Sequence, residues 1–189
     1  VAARLNGSVT YGLEGSIFVA GSAIQWLRDE LMVIKSAVDT EEIADRIGVI
    51  DNITVVPAFA GLGAPYWNPN ARGAILGLTR GTSKEEIITA TIQSVAFQAH
   101  DLQKAMTDDG ISPEIIRVDG GMASNNWFIQ FLADVLNIPV ERPKNIESTV
   151  LGVAYLTAFS AEILKTTDQI SMLWECEKRF EPSMSSDLR

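Results

Sequence analysis

The second half of the chain alternates. Residues 115–118 form a short apolar run, 125–137 have helical spacing, 140–142 form another short run before Pro143, and a helix follows from Ser148-Thr149 to about Leu164. Strands separated by a helix do not close as a hairpin. The helix carries the chain back across the sheet, so successive strands lie parallel. This alternation indicates an α/β domain: a largely parallel sheet with crossover helices. In such sheets ligands sit beyond the carboxyl ends of the strands. Asp119, Gly120 and Gly121 stand at that end of the 115–118 run.

The first half is more varied. Residues 2–5 and 8–13 read as β runs around an Asn6-Gly7 turn. Residues 17–34 read as a helix with Phe18, Ala20, Ile24, Leu27, Leu31 and Ile34 apolar, interrupted by Gly21. A glycine inside a helix costs about 1 kcal/mol relative to alanine. Thr40 is the expected N-cap of a short acidic helix. Its carboxylates Asp39, Glu41, Glu42 and Asp45 read as an exposed face. Residues 53–59 are apolar throughout and predict a central strand. The segment GLGAPYWNPNARG, 61–73, reads as a long loop. A strand is expected over 74–78. Ser83 and Glu86 then form a capping box that opens a helix to about Met106. Ile88, Ile92, Val95, Ala99, Leu102 and Met106 line one face of it. The last helix carries Gly152, Ala154, Ala158 and Ala161, small residues suited to close packing on a sheet. No repeat or linker divides residues 1–189, so one domain is expected.

Composition narrows the function. Apolar residues make up 47% and charged ones 21%, as in a globular chain. A net charge of −9 argues against a nucleic-acid or anionic-membrane surface, which needs clustered Lys and Arg. It leaves a small anionic ligand open, because backbone amides hold anions without a cation. Cys176 is the lone cysteine. It can form neither an internal disulfide nor a thiolate metal site, which fits a reducing cytoplasm, and it is expected half-buried. No His or Cys cluster suggests a metal centre, and His100 reads as a surface or hydrogen-bonded helix residue and not a catalytic one. Neither a Walker sequence nor GxGxxG is present. With no initiator Met and no closing element before Arg189, a piece of a longer chain is expected.

Two places suggest a ligand. In RVDGGMASNNWF, 117–128, a glycine pair follows a strand and precedes a helix start. The pair serves either a bare turn capped by Ser and Asn or the close approach of a ligand. In the second case Asn125 and Asn126 offer carboxamides that both donate and accept, as a purine edge requires. The other place is Gly21 with Gln25 four residues on, on the same helical face. A bare backbone patch beside a carboxamide suits a ribose or base, and equally suits close helix packing. Trp26, Tyr66 and Trp67 read as structural aromatics, and Arg72 and Arg80 as solvated or ion-paired groups.

Longer motifs carry a resemblance. GAILGLTRGTSKEEIITATIQ (73–93) resembles the second signature of the FGGY carbohydrate kinases, with Gly73, Ile75, Gly77, Leu78, Glu86, Ile87, Ala90 and Gln93 at its spacing. PAFAGLGAPYWNPNARG (57–73), YGLEGSIFVAGSAIQWLRDEL (11–31) and RVDGGMASNNWFIQFLADVL (117–136) resemble the branch of that family that acts on glycerol. The resemblance implies an actin-like (ribonuclease H-like) ATPase domain with a mixed sheet and crossover helices, here the carboxyl-terminal, nucleotide-binding one. It implies ATP or ADP and Mg²⁺ as cofactors, and Gly21, Gln25, Gly121 and Asn125 as nucleotide contacts. It also implies a homo-oligomeric, cytoplasmic parent enzyme that takes glycerol through a domain not in this chain. The family's catalytic aspartate, its phosphate loop and most polyol contacts would lie before Val1. No catalytic base is therefore expected here, and the chain alone is expected to be inactive.

Overall fold

The computed structural model describes residues 3–5 and 7–189. Strands β1 (Ala3–Leu5) and β2 (Ser8–Thr10) pair antiparallel, as the turn residues predict. Asn6 of that turn, and Val1 and Ala2 at the chain start, lie outside the described residues. Helix α1 (Gly21–Asp29) is shorter than expected. Gly21 is its first residue and not an interruption, so the interior-glycine cost does not arise. Helix α2 (Asp39–Ile47) begins one residue before Thr40, and Val38 is its cap. The Thr40 hydroxyl instead donates back to the Ala37 carbonyl at 2.6 Å. Asp39, the first residue of α2, accepts from the backbone of Lys35 and Ser36 and so folds the preceding loop onto the helix start.

Strand β3 (Thr54–Val56) pairs antiparallel with β4 (Ala74–Leu76) in a sheet of its own. The expected central strand over 53–59 is thus an edge pair. Its apolar run serves a small separate cluster of Ile53, Val55 and Ala90. Strand β4 stops at Leu76 because Gly77 turns with φ +84°, and a Cβ there would lie 2.0 Å from the Asn52 carbonyl oxygen.

Helix α3 (Lys84–Asp108) is the central post. Its capping box is complete: Ser83 accepts from the Glu86 N–H, and Glu86 accepts from the Ser83 N–H at 2.7 Å. Ile88, Ile92 and Val95 are buried, whereas Ala99, Leu102 and Met106 are half-buried. Gln93 is buried too, and its carboxamide makes a closed pair with the Ile50 backbone at 3.0 and 3.1 Å. That pair ties the loop before β3 to the post.

Strand β5 (Ile116–Arg117) runs parallel to β6 (Val140–Pro143). The connection is a 3₁₀ turn (Gly121–Ser124) and helix α4 (Asn126–Leu136), the predicted crossover. Asn125 caps α4 by accepting from Phe128 N–H at 2.8 Å, and Asn137 ends it in the left-handed region. Strand β7 (Cys176–Phe180), which hydropathy does not reveal, adds antiparallel to β6. The sheet is mixed and not largely parallel. Cys176 is exposed on this edge and not half-buried. The main core joins α1, α2, α3, α4, β6 and β7 through Leu27, Ala44, Ile88, Ile92, Ile129, Val140 and Phe180. Each fully buried Leu or Ile contributes about 1.5–3 kcal/mol.

The small-residue helix α5 (Ser148–Ser160) has no buried residue, so its expected close packing on a sheet is not met among the described residues. A short helix α6 (Thr167–Ser171) follows. No helix among the described residues is long and apolar enough to cross a membrane.

Candidate functional site

A cavity of about 640 Å³ opens beyond the carboxyl end of β5, where the alternation of strand and helix places ligands. One wall is α1, with Gly21, Ile24, Gln25 and Arg28. The facing wall is the end of β5 and its turn, with Asp119, Gly121, Met122, Ser124 and Asn125. The start of α2 closes a third side with Val38, Thr40 and Glu41, and Ile92 of α3 forms part of the lining. Gly21, Gln25, Gly121 and Asn125, about a hundred residues apart in two pairs, therefore meet on one cavity.

The glycines are informative. A Cβ added at Gly21 or Gly121 would meet nothing within 4 Å, and neither residue has a positive φ. Close helix packing does not explain Gly21, and turn strain does not explain Gly121. What each leaves is open backbone facing the cavity. Gly120 differs: with φ +79° and ψ 179° it occupies a conformation almost confined to glycine. Its N–H donates to the Ile146 carbonyl at 2.9 Å. The glycine pair thus divides the two readings, one residue for the turn and one for room.

The carboxamides also differ. The Gln25 side chain is exposed and makes no hydrogen bond among the described residues. Asn125 already works for the fold, accepting from Phe128 N–H and donating from Nδ2 to Thr40 Oγ1 at 3.1 Å. A carboxamide has two donor hydrogens and two acceptor lone pairs, so one of each remains. Asn126 turns away and donates to Glu41 Oε1 at 2.7 Å. These two bonds tie the turn to α2 and fix that corner of the cavity.

Thr40 and Glu41 are wall residues that sequence reading missed. Thr40 reads as a cap and Glu41 as part of a solvated face. Their partners are 85 residues away, beyond any local pattern. Of the rest of that face, Glu42 and Asp45 are exposed as expected, whereas Asp39 is half-buried. Arg28, also missed, forms a fork with the neighbouring Asp29 at 2.6 and 2.8 Å. The aromatics are structural: Trp26 lies on Phe59, Trp67 meets Phe18 edge-on, and the Tyr66 hydroxyl donates to Asp101 at 2.7 Å. Arg72 donates to the carbonyls of its own loop. No group of three or more His, Cys, Asp or Glu side chains suited to a metal occurs among the described residues.

The model of the FGGY family of carbohydrate kinases, C-terminal domain, matches residues 2–161. A glycerol kinase of Listeria innocua is 53% identical over 98% of this chain and 37% of its own length. One from Coxiella burnetii is 48% identical over the whole chain and 38% of its own length. The chain thus spans under two-fifths of the length of the curated relatives it matches. Among solved structures, Plasmodium falciparum glycerol kinase with ADP superposes with a TM-score of 0.80 at 33% identity, covering 90% of this chain and 34% of that one. A xylulose kinase of Lactobacillus acidophilus shares the fold, with a TM-score of 0.75 at 24% identity, covering 89% and 35%. The architecture is accordingly that of the actin-like, ribonuclease H-like ATPases. The chain belongs to the FGGY family of carbohydrate kinases and carries that family's C-terminal domain.

Proposed function

We propose that this domain, a single unit over residues 1–189, binds ATP and ADP in the cavity between α1 and the β5 turn. We further propose that the full-length protein is a glycerol kinase, which transfers the γ-phosphoryl group of ATP to glycerol. The observation that carries the reading is the pair of bare glycines, Gly21 and Gly121, which open on one cavity with no packing reason to be glycine. In this reading they let the nucleotide reach backbone. Gln25 supplies a free carboxamide, and Asn125 its remaining donor and acceptor. Glycerol is favoured as acceptor because the superposed glycerol kinase is 33% identical, against 24% for the xylulose and gluconate kinases.

Mg²⁺ would neutralise charge on the phosphates. It is usually held by one or two carboxylates and the phosphates themselves, without a protein cage. That suits a wall whose exposed carboxylate is Asp119. The catalytic base would come from the part of the relatives' length that this chain does not cover.

The test is a coupled ADP-release assay on the full-length enzyme with glycerol, xylulose and gluconate. Glycerol should be preferred by at least about tenfold in kcat/KM; preference for either sugar substrate would replace the acceptor assignment. Calorimetry on the 189-residue chain should show weak ADP binding without turnover. No binding at millimolar ADP would remove the site assignment.

A further inference from the structure

Arg142 stands in β6 with only 7% of its surface exposed. Every guanidinium nitrogen has a partner. Nε donates to Glu177 Oε2 at 2.6 Å, and Nη2 to Oε1 of the same carboxylate at 3.3 Å. Nη1 donates to the carbonyls of Ala123 at 2.9 Å and Ser124 at 3.4 Å. Nη2 also donates to Asn126 Oδ1 at 3.1 Å. Asn126, the first residue of α4, passes the linkage on to Glu41 of α2. A continuous set of charge-assisted bonds therefore runs from β7 through β6 and the start of α4 to α2, with a branch from Arg142 to the 3₁₀ turn.

Sheet stability does not account for it. The β6–β7 ladder is held by its own backbone pairing. An ion pair whose carboxylate is exposed, as Glu177 is, commonly adds little to stability. What a planar, five-donor group adds is orientation. Its targets are the carbonyls of the turn that carries Gly121 and leads into Asn125. Arg142 itself does not line the cavity.

We propose that Arg142 is a positioning residue for the nucleotide. It draws the Ala123 and Ser124 carbonyls onto the sheet and so fixes the turn's backbone, with Gly121 open on the cavity. Through Asn126 and Glu41 it also fixes the spacing between the turn and α2. Glu177 orients the guanidinium, whose hydrogen bond holds that carboxyl below its ordinary value. The proposal rests on the cavity being the nucleotide's.

The experiment uses the full-length kinase with Arg142→Gln, Arg142→Lys and Glu177→Gln. ATP and glycerol KM, kcat, ADP affinity and melting temperature are measured for each. Arg142→Gln should raise the KM for ATP and the Kd for ADP together, about tenfold, with the KM for glycerol unchanged and kcat within about threefold. Arg142→Lys should fall between, because a point charge cannot span a carboxylate and two carbonyls. Glu177→Gln, at an exposed position, should raise the ATP KM about threefold even where Arg142→Gln fails to fold. A lower melting temperature or active fraction with wild-type ATP KM in Glu177→Gln and Arg142→Lys would overturn the proposal. Absence of ADP binding by the wild-type enzyme would overturn both it and the nucleotide reading.

Discussion

Gly120 and Gly121 are neighbours under opposite constraints, and substitution should separate them. Gly120→Ala forces a β-carbon into a region nearly closed to other residues, at a cost of about 1–3 kcal/mol, read as a lower melting temperature. Gly121→Ala and Gly21→Ala add a methyl to open space and should leave stability within about 0.5 kcal/mol. In the full-length enzyme these two should instead raise the KM for ATP. Unchanged KM in both would mean that the space serves no ligand. Asn125 needs a different variant, because alanine also removes the α4 cap, worth about 1 kcal/mol. Asn125→Asp keeps the cap acceptor and deletes the donor. It also loses the bond to Thr40, which should cost about 1 kcal/mol of stability, and it should weaken ATP binding; a wild-type ATP KM would return Asn125 to a purely structural role.

At the scale of elements, what was legible followed local chemistry. The Ser83–Glu86 box, the Asn125 cap and the hairpin residues around Gly7 each act within a few positions, and each element begins or turns where they indicate. Strand environment was not legible. The 53–59 run is apolar because it faces a small satellite cluster, which looks the same in sequence as a central strand. Strand β7, CEKRF, is polar and mostly exposed, so nothing local marks it; it exists because β6 offers an edge. The site glycines and carboxamides were legible as residue types, but Thr40, Glu41 and Arg142 act through contacts 16 to 85 residues distant. The capping box carries its own prediction. Hydrogen bonds from the Ser83 backbone and hydroxyl lower the Glu86 pKa from its ordinary 4.5. A carboxylate lowered on folding stabilises above its unfolded value, and that stabilisation is lost as pH falls through the folded one. Glu86→Gln should therefore lower the melting temperature at pH 7 and make less difference below pH 4.5, towards the lowered folded value. An equal deficit at both pH values would show that the box acts through geometry and not charge.

For the molecule as a whole, α5 is the element that the described residues do not account for. Val150, Val153 and Leu156 are 65%, 63% and 50% exposed, and no residue of the helix is buried. Helices apolar on every side are buried in stable proteins. An isolated helix of this length is marginal in water. Helix α3, by contrast, rests on the main core through Ile88, Ile92, Val95 and Ala96. Because the chain spans 37% of a relative's length, the expected cover for α5 is the remainder of the full-length kinase. Hydrogen exchange on the two forms checks this. In the 189-residue chain, α5 amides should exchange at least about tenfold faster than those in the first half of α3. In the full-length enzyme the difference should close. Equal protection of α5 in both forms would show that the helix is stable without further cover, and that the exposed valines face solvent in the complete protein as well.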